Sequence, residues 1–113
     1  MNPSTSALLT DLYELTMAQA YLDQGMDGPA VFEFFVRKLP AHRNFLVTAG
    51  LEQVLAYLSE LQVTQEELAW LDQSGRFSSK LLHFLEALRF TGDVEAMAEG
   101  TILTRGSPRD VRA

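Results

Sequence analysis

The chain has 113 residues, of which 47% are hydrophobic and 21% are charged, and its formal net charge is −6 at pH 7. This is the composition of a soluble globular protein, and the length limits it to one domain that removes about two-thirds of its unfolded-chain surface from water. A negatively charged chain repels a phosphate backbone on average, and no basic stripe offsets that repulsion, so we expect no nucleic-acid partner.

Cysteine is absent, which excludes disulfides and thiolate metal sites. No apolar run approaches the ~20 residues that span a bilayer, and no cationic leader precedes an apolar segment. We therefore expect a cytoplasmic protein with no membrane partner.

The first predicted element is a helix that begins near Thr10 or Asp11 and ends near Gly25. Asp11 followed three places later by Glu14 predicts a capping box, with both carboxylates beside the positive end of the helix dipole. Apolar side chains cover most of the helix, which needs cover on more than one side. The clear polar line on its surface consists of Thr16, Gln19 and Asp23.

Segment 30–39 is rich in aromatic and β-branched residues without strict alternation, which predicts a strand buried on both faces. Pro40 should end that strand. Residues 45–47 are predicted as a short second strand. Apolar residues then recur at helical spacing over 51–61, which predicts a helix with one apolar face.

Two further helices are predicted from their start signals. Thr64 and Glu67 form a second capping-box pattern, and residues 81–88 give an amphipathic stretch that follows Ser78.

The carboxyl-terminal third is predicted to return to strands. Residues 93–97 and 101–103 alternate polar with apolar side chains, which indicates two half-buried strands. Residues 106–113 offer little to bury and are predicted to be a loose polar tail. The order of helices and strands indicates an α/β or α+β fold.

Motifs that carry chemistry by themselves are absent from the sequence. It contains no Walker-type glycine loop, no GxGxxG, no HExxH and no Gly-x-Ser-x-Gly elbow. We therefore assign no catalytic residue. His42 and His83 have no second ligand at metal spacing, so we predict that both are structural or solvent-facing and that the chain holds no metal.

Four residues remain as candidates for a binding role, each with a structural alternative. Asp11 is a ligand group or a helix cap. Tyr13 is a substrate-binding ring or an aromatic of the core or an interface. Arg37 and Arg43, which lie with Lys38 at the end of the predicted strand 30–39 and in the next loop, hold an anion or form a solvated strand terminus.

Several stretches, in the same order and at similar gaps, resemble the amino-terminal region of the nicotinate phosphoribosyltransferase family. The Thr-Asp-Leu-Tyr element at residues 10–13 is the most specific of them. The matching stretches are residues 8–21, 32–40, 43–45, 49–52, 92–94 and 99–101.

The resemblance implies an enzyme that joins nicotinate to phosphoribosyl pyrophosphate, giving nicotinate mononucleotide and pyrophosphate with coupled ATP hydrolysis. It implies a type II phosphoribosyltransferase-like α/β sandwich domain, built partly from this segment, and an α/β barrel that carries most of the active site. Active sites in that family form at a homodimer interface, and ATP and magnesium are implied.

Carried over by position, Tyr13 would stack on the pyridine ring of nicotinate. Asp11 would orient a cationic partner at the opening of the same binding pocket. Arg37 and Arg43 would help to bind the anionic substrates. The resemblance implies that the catalytic barrel, with the residues that bind ATP, magnesium and phosphoribosyl pyrophosphate, lies outside this chain.

Residues 1–105 are therefore interpreted as an incomplete amino-terminal domain and 106–113 as a polar tail, as in a truncated product or fragment. Three hypotheses follow. The chain is part of the transferase and inactive alone, it is an interaction module that docks on a full-length subunit, or it is a non-functional fragment that tends to self-associate.

Overall fold

A computed structural model describes residues 6–104 and the backbone of residues 111 and 112. The fold of these residues is mixed α/β. In chain order the elements are α1 (Leu12–Asp23), β1 (Glu33–Phe34), β2 (Phe45–Val47), α2 (Leu51–Ser59), α3 (Gln65–Gln73), α4 (Ser79–Glu86), β3 (Ile102–Thr104) and β4 (Val111–Arg112).

The chain divides into two compact units. The first comprises Met1–Pro29 and Tyr57–Phe90, and the second comprises Ala30–Ala56 and Thr91–Ala113. Helices α1, α3 and α4 belong to the first unit, and all four short strands belong to the second. Among the helices built from described residues, none has the length and apolar character needed to cross a membrane.

Helix α4 is the centre of the first unit, since both α1 and α3 pack against it. The buried core consists of Val63, Leu68, Leu71, Leu81 and Leu85, and Leu71 and Leu81 have no exposed surface. Helix α1 contributes partly buried side chains at i, i+3 and i+7, namely Leu15, Ala18 and Leu22. This spacing places one face of α1 on the core, as an amphipathic helix requires.

The starts of α3 and α4 are capped as predicted. Thr64 accepts a hydrogen bond from the Glu67 amide at 3.3 Å, and the Glu67 carboxylate accepts one from the Thr64 amide at 2.7 Å. Ser78 Oγ likewise accepts from the Leu81 amide at 3.3 Å. Each cap satisfies helix N–H groups that would otherwise be unpaired.

The Glu67 carboxylate also accepts a hydrogen bond from the Ser6 hydroxyl. Partial burial acts to raise the pKa of Glu67, but the hydrogen bonds from Ser6 and from the Thr64 amide and hydroxyl outweigh it, so that pKa is lowered from its ordinary value of 4.5. A carboxyl whose pKa is lower in the folded state stabilises the fold above its unfolded pKa and loses that contribution as pH falls through the folded value.

We therefore expect Glu67→Gln to weaken the acid dependence of stability. The parent chain should lose unfolding free energy as pH falls below about 4.5. The variant should lose less, because glutamine does not titrate, although it keeps only one of the two acceptor oxygens. Urea unfolding at a series of pH values measures this. Glu66→Gln, the same change at the preceding exposed position, is the control. Equal acid slopes for Glu67→Gln and the parent would contradict the assignment.

Helices α1 and α4 are also joined by polar contacts. The Gln19 side chain accepts a hydrogen bond from the Ser78 amide at 2.6 Å. Lys80 donates to the carbonyl of Leu22 and lies 3.9 Å from the Asp23 carboxylate. The ion pair is exposed and adds little stability. Of the three residues in the predicted polar line of α1, Gln19 and Asp23 thus contact α4 or its N-cap.

In the second unit, β2 pairs antiparallel with β3, in the register Phe45↔Thr104, Leu46↔Leu103 and Val47↔Ile102. This confirms the strands predicted at 45–47 and around 101–103. The helix predicted over 51–61 is confirmed as α2, which ends at Ser59.

The predicted buried strand over 30–39 is wrong. Only Glu33–Phe34 forms a strand, β1, which pairs antiparallel with β4. Val31, Phe32 and Phe34 are 73–77% exposed. Apolar composition indicates that a segment suits a covered position, but within the described part of the chain no layer covers these side chains.

The strand predicted over 93–97 is also wrong. These residues are irregular apart from a single bridge position at Glu95. Alternation over five residues is a short signal, and this segment leads directly into a turn. Of the predicted polar tail, residues 106–110 and 113 lie outside the described residues, and the backbone of 111–112 forms β4.

The turn at residues 99–100 forms hydrogen bonds with the start of α2, so it connects two of the stretches that carry the family resemblance. Thr48 Oγ1 donates to the carbonyl of Ala98 and accepts from the amide of Thr101, both at 2.8 Å. The Glu99 carboxylate accepts from the amides of Gly50 and Leu51, at 2.8 and 3.1 Å. Glu99 therefore satisfies N–H groups at the start of α2, where a negative charge is favoured by the helix dipole.

Replacing Glu99 with alanine should loosen the start of α2. Loss of a helix cap costs about 0.5–2 kcal/mol, so local opening should become roughly 2- to 30-fold more frequent. Amide hydrogen exchange at Val54, whose N–H donates to the carbonyl of Gly50 at 3.1 Å, reports this opening. Glu95→Ala is the control. Unchanged protection at Val54 in Glu99→Ala would contradict the capping role.

Candidate functional site

The start of α1 differs from the starts of α3 and α4. Asp11 occupies the N-cap position with an extended backbone, but its side chain makes no cap hydrogen bond. The capping box predicted from Asp11 and Glu14 is therefore wrong. The Glu14 amide donates to the backbone carbonyl of Asp11 at 3.0 Å and not to its side chain, and the Glu14 carboxylate accepts a hydrogen bond from the hydroxyl of Thr10. The Asp11 carboxylate is exposed at the positive end of the helix.

Tyr13 lies within the same first turn and is 57% exposed. Its hydroxyl lies 3.5 Å from Oε1 of Glu14. The backbone carbonyl of Tyr13 accepts a hydrogen bond from the Thr16 hydroxyl at 2.8 Å. The ring is exposed on the first turn of α1, so it is accessible for stacking.

Tyr13 continues into an apolar surface on α1, which we call the outer face. It consists of Tyr13, Met17 and Tyr21, at i, i+4 and i+8, which share one side of a helix. Met17 and Tyr21 are each 44% exposed, and the neighbouring Leu12 is 48% exposed. Helix α1 therefore carries two apolar sides, one packed on the core and one exposed. The predicted need for cover on more than one side stays a prediction.

The structure places Asp11 and Tyr13 together at one helix start. Arg37 and Arg43 belong to the second unit, where both are exposed in irregular segments. Arg43 closes a turn by donating its amide to the carbonyl of Pro40 at 3.1 Å. His42, at the third position of that turn, has a positive φ of 67°, a conformation that most non-glycine residues avoid.

Side chains suited to binding a metal ion are not clustered. Within residues 6–104, no three His, Cys, Asp or Glu side chains come together in a group that could hold a metal ion. His83 uses Nδ1 to contact the carbonyl of Ser79 at 2.8 Å, one turn back along α4. The arrangement at the start of α1 can supply an aromatic face and a carboxylate, but no nucleophile or metal centre.

Comparison with known families identifies the chain. The family profile described as nicotinate phosphoribosyltransferase (NAPRTase) N-terminal domain matches residues 8–110. The chain belongs to the nicotinate phosphoribosyltransferase family. The resemblance noted in the sequence is thereby confirmed, and it extends over nearly the whole chain.

Curated members of the family show the same relationship. A nicotinate phosphoribosyltransferase of Mycobacterium tuberculosis is 47% identical over 102 residues, which are 90% of this chain and 22% of the relative. A second one from that organism is 36% identical over 108 residues, 95% of this chain and 24% of the relative. One from Bacillus subtilis is 34% identical over 103 residues, 90% of this chain and 21% of the relative. The chain thus spans about a fifth of the length of these relatives. No solved structure matches it significantly.

The sequence does not predict the hydrogen bond between Thr10 and Glu14. Thr10 precedes the N-cap, so the i, i+4 spacing of a helix gives no signal for this bond. Glu14 also fits the N3 position of a capping box. Geometry alone decides which of two partners a carboxylate accepts from.

Proposed function

We propose that this chain is the amino-terminal part of an enzyme that joins nicotinate to phosphoribosyl pyrophosphate. The products would be nicotinate mononucleotide and pyrophosphate, with ATP hydrolysed in a coupled step. The observation that carries the proposal is the family match over residues 8–110, which includes the Thr-Asp-Leu-Tyr element. The part of the relatives that this chain does not span would supply the catalytic barrel and most of the active site.

In this reaction the ring nitrogen of nicotinate forms a bond to C1 of the phosphoribosyl group, and the bond from C1 to the pyrophosphate oxygen breaks. Tyr13 would hold the pyridine ring by offset stacking, worth on the order of 0.5–1.5 kcal/mol beyond area burial. The ring nitrogen becomes positively charged as the bond forms. The Asp11 carboxylate lies two residues before Tyr13 in the chain and makes no cap hydrogen bond. It suits a cationic group at the opening of the same pocket.

Several finer parts of the proposal rest on the family alone. We propose that the chain forms part of a type II phosphoribosyltransferase-like sandwich domain. Arg37 and Arg43 would help to bind anionic substrates, which their exposed guanidinium groups suit. ATP and magnesium would be bound by polypeptide outside this chain.

We further propose that the active site forms between two subunits. The support is the outer face of α1, where Tyr13, Met17 and Tyr21 are 44–57% exposed. Contiguous exposed apolar surface commonly marks an interaction site. In this arrangement the outer face of one subunit would enter the barrel of its neighbour and bring Tyr13 to the nicotinate.

The same face supports a second candidate function, that of an interaction module which docks on a full-length subunit. Light scattering of this chain mixed with the 47% identical Mycobacterium tuberculosis relative tests it. A mixed species with the summed mass of both would support docking. Two separate species at unchanged masses would contradict it and would favour the transferase part or a non-functional fragment.

A chimera tests the proposed function directly. Residues 8–110 of this chain replace the matching segment of the 47% identical relative, and nicotinate mononucleotide formation is measured. We expect an active chimera and no turnover by the 113-residue chain alone. A chimera that folds but is inactive would contradict the transferase assignment. Turnover by the isolated chain would contradict the placement of the catalytic groups in other polypeptide.

A further inference from the structure

The first turn of α1 uses its glutamate in an unusual way. Glu14 stands at N3, and Asp11 at the N-cap, the two positions of a capping box. In α3 the corresponding residues, Thr64 and Glu67, form both bonds of the box. In α1 neither bond forms, and Glu14 is bonded to the Thr10 hydroxyl. The same chain thus contains a used and an unused capping box.

The two oxygens of Glu14 have separate neighbours. Oε2 accepts the hydrogen bond from Thr10, and Oε1 lies 3.5 Å from the Tyr13 hydroxyl. This second distance is longer than an ordinary O–H···O hydrogen bond, so the contact is weak and does not lock the ring. The Thr10 bond places the carboxylate beside the hydroxyl of an otherwise exposed phenol.

We propose that Glu14, held by Thr10, is a positioning residue for the Tyr13 ring. The proposal rests on the proposed function, in which that ring stacks on nicotinate. A side chain that is already oriented loses less rotational freedom when a ligand binds, so its affinity is higher. Glu14 touches no reacting atom in this scheme and acts only through Tyr13. Loss of this positioning should weaken nicotinate binding and leave the chemical step unchanged.

The first test measures the ring itself, in the 113-residue chain and without substrate. NMR scalar couplings report the χ1 rotamer populations of Tyr13. We expect one dominant rotamer in the parent and in Glu14→Gln, whose amide oxygen accepts from one of the two hydroxyls while its NH2 group donates to the other. We expect averaged couplings in Glu14→Ala and Thr10→Val. Thr16→Val is the matched control, because that hydroxyl bonds only the Tyr13 carbonyl, and it should keep the parent rotamer.

Fraying of α1 is a separate consequence of changing Glu14, and Tyr13→Phe controls for it. This variant removes the hydroxyl and leaves Thr10 and Glu14 in place. We expect its ring couplings to be averaged as in Glu14→Ala while the α1 amide shifts stay those of the parent. Parent-like rotamer populations in both Tyr13→Phe and Glu14→Ala would overturn the proposal.

The second test uses the chimera and separates positioning from general damage. Glu14→Ala should raise the KM for nicotinate about 2- to 10-fold, with kcat and the KM for ATP unchanged, and Glu14→Gln should restore the parent value. In a Tyr13→Phe background, Glu14→Ala should have no further effect. An equal effect in both backgrounds would overturn the proposal. An inactive chimera contradicts the proposed function, whereas the rotamer measurement still decides the role of Glu14.

Discussion

Replacing Leu81 with alanine should lower the unfolding free energy of the first unit by about 2–5 kcal/mol. Leu81 has no exposed surface and lies in α4, the helix that both α1 and α3 contact. Truncation removes apolar contacts and leaves a cavity between three helices that are held at their ends by caps and side-chain bonds. Such a site relaxes only in part, so both the transfer cost and the cavity cost remain.

Urea unfolding measures the effect. Trp70 is the only tryptophan and lies in α3 of the same unit, so its fluorescence can be followed together with far-ultraviolet circular dichroism. Leu9→Ala is the matched control, because Leu9 is 75% exposed in the same unit and should change stability by no more than about 0.5 kcal/mol. A loss below about 1 kcal/mol in Leu81→Ala would mean that the three helices do not share this core.

The helical half of the fold could be predicted from local signals. Thr64 with Glu67, and Ser78, mark helix starts through hydrogen bonds that depend only on residues within one turn. The spacing of Leu81 and Leu85 then selects the buried face. These features need no knowledge of distant parts of the chain, which is why sequence and structure agree on them.

The segment around β1 could not be predicted in the same way. Phe32, Phe34 and their neighbours have the composition of a covered strand, yet they are among the most exposed apolar residues described. Composition reports that a segment suits burial, and it does not identify what covers it or where. Strand pairing is non-local, so a pattern within one segment cannot establish the presence of a partner.

The residues of the candidate site could be predicted from the sequence, but the hydrogen bonds of Glu14 beside them could not. Positions 11 and 13 necessarily lie at one helix start once α1 begins at Leu12. The Glu14 carboxylate accepts from the Thr10 hydroxyl and not from the Asp11 amide, and the residue types at these positions allow either bond. A local rule that fails at one helix and holds at its neighbours commonly marks a functional position. The capping box that does not form at the start of α1 lies beside Tyr13.

Tyr13→Ala should raise the KM for nicotinate in the chimera by about 10- to 100-fold. The loss combines ring stacking of roughly 0.5–1.5 kcal/mol with the apolar area that the ring and the pyridine would bury against each other, at ~25 cal/mol per Å². The KM for ATP should change far less, because ATP would be bound by other polypeptide. Steady-state kinetics with each substrate varied in turn gives both values.

Two variants separate the ring from its hydroxyl and from general effects on the unit. Tyr13→Phe keeps the aromatic face and should show only the smaller positioning loss, since stacking does not need the hydroxyl. Phe84→Ala removes another aromatic ring of the first unit, 44% exposed on α4, and should leave the KM for nicotinate within about twofold. Equal increases in the KM for nicotinate and for ATP in Tyr13→Ala would show that the ring supports the fold or the subunit contact and does not bind the pyridine.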